Sequence, residues 1–182
     1  MKKIIIIILV VLLGVAAYYF IPSSPSVGKA LPGTSKDSEF HPDPSNATFV
    51  FDDGSISLSS GKYETKITSG SALTEEIDLM DKFGYGDINQ DGKNDTALLL
   101  AQYGGGSGVF IYVAAYVSGP VSYKGSDAIF IGDRIAPQSL SIDGKTITVK
   151  YLDRGPNDPF SAEPTISTTK QFIYQSGKLQ EK

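Results

Sequence analysis

The sequence predicts an all-β chain: an antiparallel meander forming a sandwich or small barrel, preceded by one N-terminal transmembrane or signal helix. Three observations carry this. Past residue 45, apolar residues fall in short runs bounded by Gly, Asn, Asp and Ser, as strands and turns do. No segment there keeps helical periodicity over three turns. Asp52-Asp53-Gly54, Asp143-Gly144 and Ser176-Gly177 are compact turn signals between such runs.

The helix comes first. Met1-Lys2-Lys3 precedes an unbroken apolar run of eighteen residues, Ile4 to Ile21. That length is at the lower end of what spans the hydrocarbon core of a bilayer. The two lysines favour a cytoplasmic N-terminus and place everything after Ile21 outside the cytoplasm. The alternative is a cleaved signal peptide, with Val15-Ala16-Ala17 as its small-residue cleavage site. Either way the chain is exported. It has no cysteine, so neither disulfides nor a lipid-modified cysteine anchor is available to it.

Residues 22–45 read as a tether. Pro22-Ser23-Ser24-Pro25-Ser26 and His41-Pro42-Asp43-Pro44-Ser45 lack apolar periodicity, and proline favours extended backbone. The single histidine, His41, falls in this stretch and reads as a solvated linker residue. Residues 46–182 number 137, enough for one domain with its own core. Setting aside Lys2 and Lys3 leaves 14 basic against 20 acidic residues, a net of −6. Such an acidic surface argues against nucleic acid as a partner.

Along the domain, Thr48–Phe51 and Ser55–Leu58 form a hairpin, and Lys62–Thr68 continues as strand. Ala72–Phe83 also reads as strand, although Glu75, Glu76, Leu79 and Met80 favour helix by propensity. Thr96–Gln102 and Val109–Val117 are apolar enough to be central and covered on both sides. Ser126–Ile131, Arg134–Ile142, Thr146–Leu152 and Thr165–Tyr174 follow, with a stub near Leu179.

The nine residues Asp87 to Asp95 carry the most specific chemistry. Asp87, Asn89, Asp91 and Asp95 stand at positions 1, 3, 5 and 9 of a loop with Gly92 at position 6. A hard cation such as Ca²⁺ takes six to eight oxygens at about 2.3–2.6 Å, and alternate residues of a curled loop supply them. Lys93 at position 7 needs to offer only its carbonyl. An EF-hand fits poorly, because Leu98 stands where that template needs a carboxylate and the flanks are not helical. The stretch from Phe83 to Leu100 resembles instead the strand–loop–strand calcium sites of FG-GAP-type repeats. That resemblance implies Asp87, Asn89, Asp91 and Asp95 as side-chain ligands and the Lys93 carbonyl as a fifth. Six or more protein and water oxygens would saturate the ion, and no nucleophile and base pair stands nearby, so a structural ion is expected rather than a catalytic one. A single copy of the loop is present, so no propeller follows.

Other groupings have plainer explanations. Gly104-Gly105-Gly106-Ser107-Gly108 is followed by strand rather than helix, which makes it a hairpin connection and not a phosphate cradle. Asp133-Arg134 and Asp153-Arg154 read as structural ion pairs or as solvated charges. The tyrosines at 103, 112, 116, 123 and 151 suit core packing with hydroxyls at the rim. No nucleophile and base stand at catalytic spacing, so no catalytic residue is expected.

The combination Gly86-Asp87-Ile88-Asn89-Gln90-Asp91-Gly92, Gly104-Gly105-Gly106-Ser107-Gly108-Val109-Phe110-Ile111-Tyr112 and Gly132-Asp133-Arg134-Ile135-Ala136-Pro137-Gln138 resembles a family of small exported bacterial proteins with an N-terminal anchor or signal. The resemblance implies a bacterial cell membrane location with the domain outside the cytoplasm, or a secreted or periplasmic one if the leader is cleaved. It implies no reaction. The expectation is a non-enzymatic module with one structural Ca²⁺, acting on a protein or cell-envelope component and held to the membrane by its helix. The alternatives are a small-ligand-binding barrel and a metal-dependent hydrolase of the cell envelope.

Overall fold

Alternating side chains fold Thr48–Phe51 (β1) and Gly54–Ser57 (β2) into a hairpin, closed by the two residues Asp52 and Asp53. Phe49 and Phe51 point inward from β1 while Thr48 and Val50 face out. The computed structural model describes residues 40–70 and 72–182. The helix expected over residues 1–21, and the tether as far as residue 39, lie outside the described residues. No helix among the described residues is long and apolar enough to cross a membrane.

Two larger antiparallel sheets follow, both meanders in chain order, and the architecture includes one half-barrel. The first contains Lys62–Lys66 (β3), Thr74–Gly86 (β4), Asp95–Gly104 (β5), Phe110–Val117 (β6), the short Lys124–Gly125 (β7), and Ile129–Asp133 (β8), which pairs with β6. The second contains Ala136–Asp143 (β9), Thr146–Asp153 (β10), Ile166–Gln175 (β11) and Lys178–Glu181 (β12).

The first sheet is covered on both faces. Ala97, Leu99, Ala101, Ile111, Val113 and Ala115 face a core shared with Leu140, Ile147, Val149, Tyr151 and Phe172 of the second sheet. Leu98, Leu100 and Ala114 point the other way, beneath Phe49 and Phe51 of the hairpin. Period-two alternation therefore feeds two cores from one strand, which is why β5 is continuously apolar in sequence.

Some boundaries differ from those the sequence suggests. The strand at 72–83 forms in spite of its helix-favouring residues, because β4 is paired on both sides, to β3 and β5. It also runs on to Gly86, past an irregularity between Leu79 and Phe83. Gly84 and Gly86 let this extension lie against β9: a Cβ would sit 3.0 Å from Ser141 Cα at the first and 2.7 Å from Ile142 Cγ2 at the second. Asp143 pairs with Thr146, so the turn between β9 and β10 is Gly144-Lys145, one residue later than expected.

Residues 40–45, which read as the end of the tether, lie in one compact unit with residues 46–182. Pro42 and Pro44 are buried, and the Thr96 hydroxyl donates to the Pro42 carbonyl at 2.7 Å. His41 is exposed, yet its ring stacks on Tyr85 at 3.7 Å between centroids and 3° between planes.

Candidate metal loop at Asp87–Asp95

The turn between β4 and β5 is built by its own side chains. The Asp91 amide donates to Asp87 Oδ1 at 3.1 Å and to Asn89 Oδ1 at 3.0 Å. The Gly92 amide donates to Asp87 Oδ2 at 2.8 Å, and the Lys93 amide to Asp91 Oδ1 at 3.0 Å. Short Asp and Asn side chains capture amides two to five positions on, which curls the backbone. Gly92, at φ +85°, takes the left-handed conformation that glycine adopts without steric cost.

Asp95 closes the loop from inside the protein. It is 0% exposed. The Ile88 amide donates to its Oδ2 at 2.9 Å, and the Ser118 amide to its Oδ1 at 2.8 Å. No lysine or arginine pairs with it among the described residues. A buried carboxylate without a cation is costly unless hydrogen bonds compensate its lost hydration.

Ser118, at the end of β6, joins the loop to the sheet. Its hydroxyl lies 2.7 Å from Asp91 Oδ2 and 2.8 Å from Asp95 Oδ1. A hydroxyl has one proton and can donate to only one of them. The Asn89 amide group occupies the other side of Ser118, donating to its carbonyl at 2.9 Å. The Ser118 hydroxyl is the leading cause that holds the Asp91 carboxyl below the usual carboxylate range; its desolvation opposes this, and the Lys93 amide assists. The loop's negative field also reaches Tyr123. Burial chiefly raises that phenol, and the charges of Asp95 and Asp91 add to the rise.

The side chains of four of the five expected residues are thus tied into one network, which Lys93 joins through its amide. Asp91 and Asp95 converge on Ser118, while Asp87 and Asn89 converge on the Asp91 amide. The fifth, Lys93, is exposed and extends its ammonium to the Gly119 carbonyl at 3.4 Å. No group of three or more His, Cys, Asp or Glu among the described residues is arranged to hold a metal ion. Both Asp87 oxygens accept loop amides. Each nevertheless has two lone pairs and can accept an amide while facing a cation.

Sequence reading missed Ser118, which no spacing rule links to a loop some twenty residues upstream. It also missed the strap at 40–44. Asn94 donates to the Phe40 carbonyl at 3.2 Å and the Tyr123 hydroxyl donates to the Asn94 carbonyl at 3.0 Å, so the strap leans on the end of the loop.

The remaining groupings are structural. Arg134 Nε donates to the Ser107 carbonyl at 2.7 Å and the Val109 amide donates to Asp133 Oδ1 at 2.9 Å, which clamps the glycine-rich hairpin. Arg154 donates to the carbonyls of Ala162, Asp133 and Arg134.

Compared with protein-family models, curated proteins and solved structures, the chain matches none.

Proposed function

We propose that this chain is an extracytoplasmic, membrane-tethered β-module in which Asp87, Asn89, Asp91, Asp95 and the Lys93 carbonyl hold one structural Ca²⁺. In this reading it is a non-enzymatic protein that binds a protein or another cell-envelope component. The observation that carries the metal reading is the shared Ser118 hydroxyl. Two carboxylate oxygens, Asp91 Oδ2 and Asp95 Oδ1, contact one hydroxyl that has a proton for only one of them. A divalent cation beside them offsets their mutual repulsion and supplies the positive partner that Asp95 lacks. All the donors are oxygens, which suits a hard cation. The ion's chemistry is to hold β4, β5 and the end of β6 together, in a chain with no disulfide for that purpose.

Calorimetric titration of the full chain in mild detergent tests this. The expected result is one Ca²⁺ per chain with a dissociation constant of about 10⁻⁴–10⁻³ M or tighter, as in extracellular calcium modules. Mg²⁺ binds more weakly, because it demands octahedral geometry and keeps its waters. Asp91→Asn is expected to remove the Ca²⁺ heat. Undiminished binding in that variant, or no binding by the native chain, contradicts the assignment.

A further inference from the structure

A second site lies away from the metal loop, where the hairpin β1–β2 overhangs the first sheet. Two adjoining depressions of about 380 and 230 Å³ share Glu75, Gln102 and Tyr112 in their walls. The larger is completed by Ile67, Gly104 and Phe110, and the smaller by the β1–β2 turn and Tyr63. Small-molecule sites occupy about 300–1,000 Å³.

The polar groups of this cleft are ordered. Gln102 Nε2 donates to Glu75 Oε1, and the Tyr112 hydroxyl donates to Gln102 Oε1 at 2.8 Å. Gln102 is thereby fixed in orientation, and among the described residues the second oxygen of Glu75 has no hydrogen-bond donor. Asp52 and Asp53 stand on the overhanging turn. None of the ion pairs among the described residues reaches Asp52, Asp53 or Glu75. The three carboxylates act together on Tyr112. Burial is the first cause that raises its phenol, followed by the charges of Asp52, Asp53 and Glu75.

The walls include the rings of Phe51, Tyr63, Phe110 and Tyr112. Tyr112 meets Phe51 edge-on at 5.0 Å, and Phe130, beside the cleft, lies 5.7 Å from Tyr112 and 6.1 Å from Phe110. Phe110 and Phe130 are 38% and 48% exposed, large apolar area for positions on a well-packed sheet. A negative field over aromatic faces favours a cation, through charge and through the ring quadrupole. A planar guanidinium can also pair with a carboxylate while lying on a ring.

We propose that the cleft formed by Glu75, Gln102 and Tyr112 under the Asp52-Asp53 turn binds a small organic cation of the guanidinium class. The site does not depend on the metal loop, and its failure leaves the Ca²⁺ reading intact.

The test is an NMR titration of the full chain in detergent with N-acetyl-arginine amide. Its isosteric neutral counterpart, N-acetyl-citrulline amide, serves as the control. The expected result is saturable binding of the cation, with shifts centred on Tyr112 and Phe110, and no saturation with the neutral probe. Glu75→Gln preserves the acceptor for Gln102, and Asp52→Asn/Asp53→Asn alters only an exposed turn. Each is expected to weaken binding by about tenfold. Equal binding of the neutral probe, unaltered affinity in both cleft variants, or no saturable binding at all would overturn the proposal.

Discussion

Alanine at Leu98 and alanine at Leu99 are each expected to cost about 2–5 kcal/mol in chemical denaturation, the usual range for emptying a packed leucine site. The two are neighbours in sequence and both are 0% exposed, but they belong to different cores. Leu99 packs between the two large sheets, and Leu98 lies under the β1–β2 hairpin. A strand with one covered face would show a large loss at one position and a small one at the other. Comparable losses at both, close to additive in the double variant because the two side chains share few partners, are the signature of a strand covered on both sides.

Asp95→Ala is expected to be comparably damaging for a different reason. It strips the acceptor from the Ile88 and Ser118 amides, both in a buried setting, while the Ser118 hydroxyl keeps Asp91 Oδ2. Each orphaned donor costs about 1–3 kcal/mol. Removing an unpaired buried charge offsets part of that, so a net loss of about 3 kcal/mol is expected by urea denaturation in the presence of a chelator. Asp95→Asn keeps the size and one acceptor and should lose less than half as much. A neutral or stabilising Asp95→Ala would mean that the carboxylate is an uncompensated strain rather than the keystone of the loop.

The order of strands was readable because local signals and tertiary demands agree. Thr48–Phe51 alternates, Asp52-Asp53 turns, and the structure places both where the sequence puts them. Residues 75–80 show the limit of local reading. Their helix propensity is worth tenths of a kcal/mol per residue, and ladder pairing on both sides of β4 outweighs it. The misplaced turn at Gly144-Lys145 is a one-residue register choice, set by how β9 pairs with β10 and not by the turn residues alone. His41 and its neighbours look like linker by composition. They join the fold because Tyr85 and Thr96 offer a ring and a hydroxyl that only the tertiary structure assembles.

The metal loop divides in the same way. Asp87, Asn89, Asp91 and Gly92 sit within six residues, and their side-chain-to-amide bonds are local, so their spacing is informative on its own. Ser118 reaches the loop only because β5 and β6 pair in register, Thr96 against Tyr116, which carries the end of β6 alongside the start of β5. The cleft at Glu75 was illegible for the same reason. Its walls come from every strand from β1 to β6, and no short stretch of sequence contains more than a part of it.

Thermal unfolding of the full chain, followed by circular dichroism with Ca²⁺, with Mg²⁺ and with a chelator, tests the central claim most directly. At about 100 times the dissociation constant, a ligand that binds only the folded state adds roughly 2.7 kcal/mol. That corresponds to a rise of several degrees for a domain of this size. The account predicts such a rise with Ca²⁺, a smaller one with Mg²⁺, and none with Ca²⁺ in Asp91→Asn. Coincident curves in Ca²⁺ and chelator would contradict it and leave Asp87–Asp95 as a polar turn held by its own amides.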